Sequence, residues 1–448
     1  MREKEPCYLA ALPPELIGKL FSEVDSVRDL GNFIITCRFI YANFQGRKAS
    51  VIFRVLQNEL GAVVIDALFL QNFPYADPGD PSDPGKWMAY WDSIHTAAAV
   101  YRDMLNGGRD GRRDACPSLV GLTDLCRTLH NMNFFASAYI ATQLRSFGTG
   151  GLVAAPLSRT ERLRVLRAFY RRQIVSNAWA PTRRTPDWMD QDTAAISNTS
   201  DHRCVRLGLF AAFEPWELQQ VDHADYFVAL LCMELQHVGE EAAAAAPGPA
   251  NTVVEPIRET EFGDLITHVD CLVRYMREHP GLADAALHNL SSLPRPGGQT
   301  SMDDASVPLY QQFAERYSLV CLRLGWQVRR LDRFPDPARD QLGQQRQEGD
   351  AGHGRTVHFI GDAVHLPPFG WTDALDGRYV NWFGEALVEG VLRTHRANAT
   401  DDGETICARF ECLDAWRGAG FTLWDKKRVQ AMKELDRLSM LRTGWVFC

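Results

Sequence analysis

The sequence predicts a mainly α fold: an N-terminal three-helix module followed by an irregular helical domain with few short strands. Three observations carry that expectation. Apolar residues recur every three or four positions over most of the chain, which is the period of a helix face. Alternating strand patterns are scarce, the best being "RTVHFIG" at 355–361. No unit of roughly 20 to 50 residues repeats, which speaks against leucine-rich, WD40, ankyrin and tetratricopeptide arrays.

The first helix is expected over 14–24. Pro13 and Pro14 sit at its start, where proline is tolerated because the first amides have no intrahelical partner. Leu16, Ile17, Leu20, Phe21 and Val24 then fall on one face, with Glu15, Gly18, Lys19, Ser22 and Glu23 on the other. A second helix is expected over 27–44, with Ser26 as its N-cap and Asp29 three residues on, in the manner of a capping box. It carries Leu30, Phe33, Ile34, Cys37, Ile40, Tyr41 and Phe44 at helical spacing. A third helix over 48–70 is apolar all round, the pattern of a helix buried on most sides. Further helices are expected near 86–105, 119–145, 158–178, 214–239, 262–278, 308–332, 376–396 and 425–441.

Between them, "YADPGDPSDPG" at 75–85 reads as a loop. "EEAAAAAPGPANT" at 240–252 and the polar stretch at 339–355 read as flexible linkers or insertions. The expected organisation is a module over 8–60, a helical body over 61–338, a linker or insertion over 339–355, and a C-terminal part over 356–448. That last part would hold one possible strand and an aromatic tail.

Composition narrows the function classes. A chain of 448 residues that is 46% hydrophobic can bury a sizeable core. Its formal net charge of -8 argues against a broad nucleic-acid footprint, which needs a dense basic surface. Arg162, Arg164, Arg167, Arg171 and Arg172 form a local basic run, read as a solvated helix face. "MREKEPCYLA" lacks the apolar core of a signal peptide, and no run of about 18 apolar residues occurs, so no membrane span is expected. Eleven scattered cysteines then read as reduced thiols. The expected location is cytoplasmic or nuclear.

Two helices of this size cannot form a core alone, because a unit below about 70 residues rarely supplies more than a few kcal/mol from burial. Either residues from 86 onward cover the apolar face of the first helices, or another protein does. Leu12-Pro13-x-Glu15-Leu16, Leu20, Asp29-Leu30 and Cys37-Arg38 follow, in order and spacing, a pattern that resembles the F-box. F-box modules bind the adaptor Skp1 and so join a cullin–RING ubiquitin ligase. The resemblance implies an adaptor-facing surface of Leu12, Pro13, Leu16, Ile17 and Leu20, continued or braced by Leu30, Ile34 and Cys37. It also implies Skp1 and, through it, cullin as partners, an unidentified protein target, and no catalysis by this chain. The family often has a tryptophan near the end of the module, a role that Phe44 or Phe53 would fill here. The rest of the chain resembles the α-helical regions that follow F-boxes in many filamentous-fungal proteins.

Other constellations are weaker. Gly361-Asp362-Ala363, His365, Pro367-Pro368 and Gly370 resemble a motif of flavin-dependent aromatic hydroxylases, but no strand followed by G-x-G-x-x-G supplies the other half. A flavin- or small-molecule-dependent enzyme using this segment is the alternative from another class. A structural helical protein is a third. Glu234 and His237 make a single E-x-x-H pair without the second that a di-iron bundle requires. His202, Cys204, Cys407 and Cys412 lack zinc-site spacing. No nucleophile elbow, zinc-protease helix or phosphate-binding loop occurs. No cofactor and no metal are therefore expected. In the tail, Trp416, Phe421 and Trp424 are read as core residues before an interface.

Overall fold

The computed structural model describes residues 8–73, 84–107, 116–145, 155–179, 212–245, 265, 268–292, 359–374, 420 and 422–434. The fold is mainly α. The helices are α1 (Pro14–Ser22), α2 (Val27–Ile34), α3 (Arg38–Gln45), α4 (Lys48–Leu60), α5 (Val64–Asn72), α6 (Pro84–Leu105), α7 (Leu119–Arg145), α8 (Arg159–Trp179), α9 (Pro215–Ala245), α10 (Val269–Glu278), α11 (Pro280–Ser292), α12 (Phe369–Ala374) and α13 (Lys426–Glu434). No described residue lies in a strand. Residues 359–361, the described end of the expected strand, are irregular. The helices expected at 308–332 and 376–396, the linker at 339–355, and Trp416 and Phe421 lie outside the described residues.

The helices α11 and α12 stand where none is expected, and three further differences each have a local reason. The segment 27–44 is two helices. The Thr36 amide and hydroxyl both donate to the Phe33 carbonyl, at 3.2 and 2.7 Å. A β-branched run at Ile34, Ile35 and Thr36 thus closes α2, and Cys37 leaves it extended at φ -157 and ψ 158 to head α3. The segment 48–70 is also two helices. Gly61 takes φ +52 between α4 and α5, a backbone state open mainly to glycine. Finally, α9 runs on to Ala245, into the first part of the stretch expected to be a linker, as alanine's high helix propensity favours.

Two apolar clusters result. The smaller is built by Ile17, Phe21, Leu30, Ile40, Phe44, Val51 and Val55. Phe21 meets Phe33 edge-on at 5.4 Å and Phe44 at 6.1 Å. Ser26 caps α2 as the sequence indicates: its Oγ accepts from the Asp29 amide at 3.0 Å and donates to the Asp29 carboxylate at 2.6 Å. The larger cluster spans α5 to α13 and takes Phe53, Leu56 and Leu60 from α4. So α4 serves both, with Val51 and Val55 on one side. Phe44 lies in the smaller cluster and Phe53 in the larger. Trp424 is fully buried in the larger one, where it stacks on Tyr139.

At the centre of the body, α8 packs against α5, α7 and α9. The arginine run it carries is not a solvated face. Arg164, Arg167, Arg171 and Arg172 are all buried, and among the five only Arg162 is open to solvent. A charge without water needs a counter-charge and hydrogen bonds. Arg164 finds Asp425 at 3.0 Å and the carbonyls of Trp424 and Ala363. Arg167 finds Glu217 at 2.7 Å and the Val364 carbonyl at 3.2 Å. Arg172 finds Asp225 at 3.0 Å. Chain segments far apart in sequence are thereby tied to one helix.

Candidate functional site

The eight residues singled out in the sequence are divided by the fold. Ile17 and Leu30 are 1% and 3% exposed and belong to the interior of the small cluster. This corrects the placing of Ile17 on an outward surface: the α1 face spans enough arc that Ile17 and Phe21 turn in while Leu16 and Leu20 stay out. Leu16 and Leu20 are 43% and 40% exposed, one turn apart on α1. Pro13, at the N-cap of α1, is exposed as well. Leu12, Ile34 and Cys37 are half-buried, each packed on the rim of the small cluster. Two further apolar residues of these helices are exposed and were not singled out: Ile35 at 78% and Tyr41 at 49%. Tyr41 follows the apolar spacing of its helix, yet that position faces outward. Ile35 sits in the break after α2, which periodicity does not locate.

The outward leucines stand on a fixed base. Asn58 of α4 donates from its amide to the Ser22 and Val24 carbonyls, at 2.7 and 3.0 Å. Glu59 accepts from the Val27 amide at 2.8 Å. These bonds satisfy backbone groups at the end of α1 and the start of α2 that have no partner inside their own helices.

A second candidate lies in the interior. Asp66 is fully buried on α5, accepts from Arg171 Nε at 2.7 Å and from the Tyr101 hydroxyl, and lies 3.6 Å from Arg167 Nε. Glu217 closes the group, with Arg167 and Arg171 each at 2.7 Å. Two carboxylates thus face two guanidinium groups. Burial pushes the Tyr101 hydroxyl well above its ordinary range. Burial would lift the Glu217 carboxyl too, but Arg167 and Arg171 beside it hold it below its usual range. Burial would lower the Arg171 guanidinium, and Glu217, Tyr101 and Asp66 raise it well above its ordinary value. The group thus joins α5, α6, α8 and α9 in the interior through ion pairs and a tyrosine hydrogen bond.

The segment around Asp362 is engaged in a similar way. Its carboxylate accepts from the Lys426 amide at the start of α13, at 3.2 Å, and lies 3.7 Å from Arg164. The Ala363 and Val364 carbonyls accept from Arg164 and Arg167. The paired Glu234 and His237 are used separately: Glu234 accepts from Asn289 and His237 lies beside Glu241. Among the described residues no three His, Cys, Asp or Glu side chains come together as a metal site. No described helix is long and apolar enough to cross a membrane. His202, Cys204, Cys407 and Cys412 lie outside the described residues.

No protein-family model, curated protein or solved structure matches this chain.

Proposed function

We propose that the chain is an F-box-like adaptor whose N-terminal helices dock on a Skp1-like subunit and, through it, on cullin. The larger helical body holds a protein target, and the chain itself carries out no chemistry. What supports this reading most is the division of one short helix. Ile17 and Phe21 complete the module's own core, while Leu16 and Leu20 remain about two-fifths exposed beside exposed Pro13. The order of Leu12, Pro13, Leu16, Leu20, Leu30 and Cys37 along the chain supplies the kind of partner. Joining two proteins through one chain raises the effective concentration of the target at the transferring enzyme, with no new bond chemistry required.

The test is capture of purified Skp1 by the full chain, comparing the wild type with Leu16→Asp and Leu20→Asp. Both positions are exposed, so the charges leave helix content and melting unchanged while capture is lost. A wild-type chain that fails to retain Skp1 ends the proposal. The enzyme alternative is separated by the absorbance of the purified protein at flavin wavelengths, which an adaptor lacks.

A further inference from the structure

We infer that Glu59, with Asn58 beside it, joins the N-terminal helices to the helical body as one cooperative unit. The Glu59 side chain is 6% exposed at the end of α4. Its Oε2 accepts from the Val27 amide, the first residue of α2, at 2.8 Å. Its Oε1 accepts from Asn133 on α7 at 3.2 Å and from the Arg162 guanidinium on α8 at 3.1 Å. One carboxylate thus links a helix of the module to two helices of the body. Asn58 repeats the pattern. Its side-chain amide donates to the Ser22 and Val24 carbonyls, while its main-chain carbonyl accepts from Arg159 of α8.

Apolar packing alone permits two helical units to slide, because it has no preferred direction. Hydrogen bonds weaken steeply away from linear geometry, so a set anchored on three helices defines an angle as well as a distance. The carboxylate also meets the positive end of the α2 dipole. Val27 and Ile52 pack against both apolar clusters, so the polar joint sits where the two cores meet. A module held this way has no independent folding transition. The inference concerns the free chain and does not depend on which partner the module binds.

Amide exchange of the full-length chain, with calorimetry, tests it. In the wild type, the slowest amides of α2 and α8 report one common opening, and heating gives one transition. Glu59→Gln keeps the side-chain volume but loses the charge facing Arg162. Exchange at Val27 and across α1–α3 rises about tenfold, as loss of a charged, partly buried hydrogen bond implies, while the core of α8 stays protected. In Glu59→Ala the module melts separately from the body. Arg127→Ala, which removes the exposed pair with Asp124, changes neither readout. Equal loss of protection in α2 and α8, or no change in either Glu59 variant, overturns the inference. Should Glu59→Ala fail to fold, the Gln variant alone decides. Skp1 capture enters none of these readouts, so a failed adaptor reading and a failed joint are told apart.

Discussion

Asp66 accepts a 2.7 Å hydrogen bond from Arg171, and neither side chain reaches water. The pair is the junction between α5 and α8, and its strength lies in what its removal would strand. Breaking a buried ion pair from one side leaves an uncompensated charge and costs about 3–5 kcal/mol, whereas removing both sides costs less. Asp66→Asn is therefore expected to lower the urea midpoint strongly. Asp66→Leu combined with Arg171→Met is expected to lower it less than Asp66→Asn alone, since Arg167 and Glu217 still balance each other at 2.7 Å. Equilibrium unfolding of the two variants and the wild type checks the order.

The same group sets a pH dependence. Despite burial, Arg167 and Arg171 hold the Glu217 carboxyl below its ordinary value of 4.5. A depressed folded value means the unfolded chain binds the proton more readily. The stability Glu217 contributes is complete above its ordinary value and is lost as pH falls through the depressed one. Asp425 acts in the opposite sense. Burial raises its carboxyl in spite of Ser158 and Arg164, so its protonation favours the folded state as pH falls. Compared with the wild type, unfolding free energies measured from pH 6 to pH 3 should lose less with acid in Glu217→Gln and more in Asp425→Asn.

Much of this architecture was legible in the sequence, and the illegible part has a physical pattern. Helix periodicity located α1 and α7, and Ser26 announced its helix through a side chain that bonds locally. Local chemistry also marks Ser158 and Glu161, which cap each other reciprocally at the start of α8 and have the S-x-x-E spacing of a capping box. The central helix α8 misled because a buried arginine and a solvated one are the same letter. Their partners, Asp66, Glu217, Asp225 and Asp425, are scattered over several hundred positions, and only the fold brings them to one helix. The outward turn of Leu16 against the inward turn of Ile17 was hidden for a related reason, since adjacent apolar residues on a helix are separated by the shape of the core they meet.

Thiol chemistry offers an independent view of the same core. Burial pushes the Cys232 thiol up to about 12, and burial with the nearby Glu59 carboxylate pushes Cys126 up to about 11. The thiolate is the reactive form, so both should resist alkylation in the native chain at neutral pH. Cys116 is exposed and should react first of these three. Peptide-resolved mass spectrometry after brief iodoacetamide treatment checks this. Labelling of Cys232 at a rate near that of Cys116 would contradict the described packing of α9.

Glu161 ties the C-terminal part of the chain to α8. One oxygen accepts from the Ser158 amide at 2.9 Å, while the other accepts from the Asp425 amide at 3.0 Å and from Arg428 Nε at 2.7 Å. Arg428 in turn donates to the Ala155 and Pro156 carbonyls, both at 3.1 Å. Losing Arg428 would leave Glu161, itself buried, without its counter-charge, so Arg428→Met should cost about 3 kcal/mol or more. Glu161→Gln removes the carboxylate charge facing Arg428 and should also lower stability, with part of its cap to Ser158 retained. If the tie holds α13 against α8, both variants should also be cut sooner by trypsin after Lys426 or Lys427, before the rest of the body is attacked. Timed digestion read by mass spectrometry distinguishes that local release from general loss of stability, in which α7 and α8 would be cut at the same time.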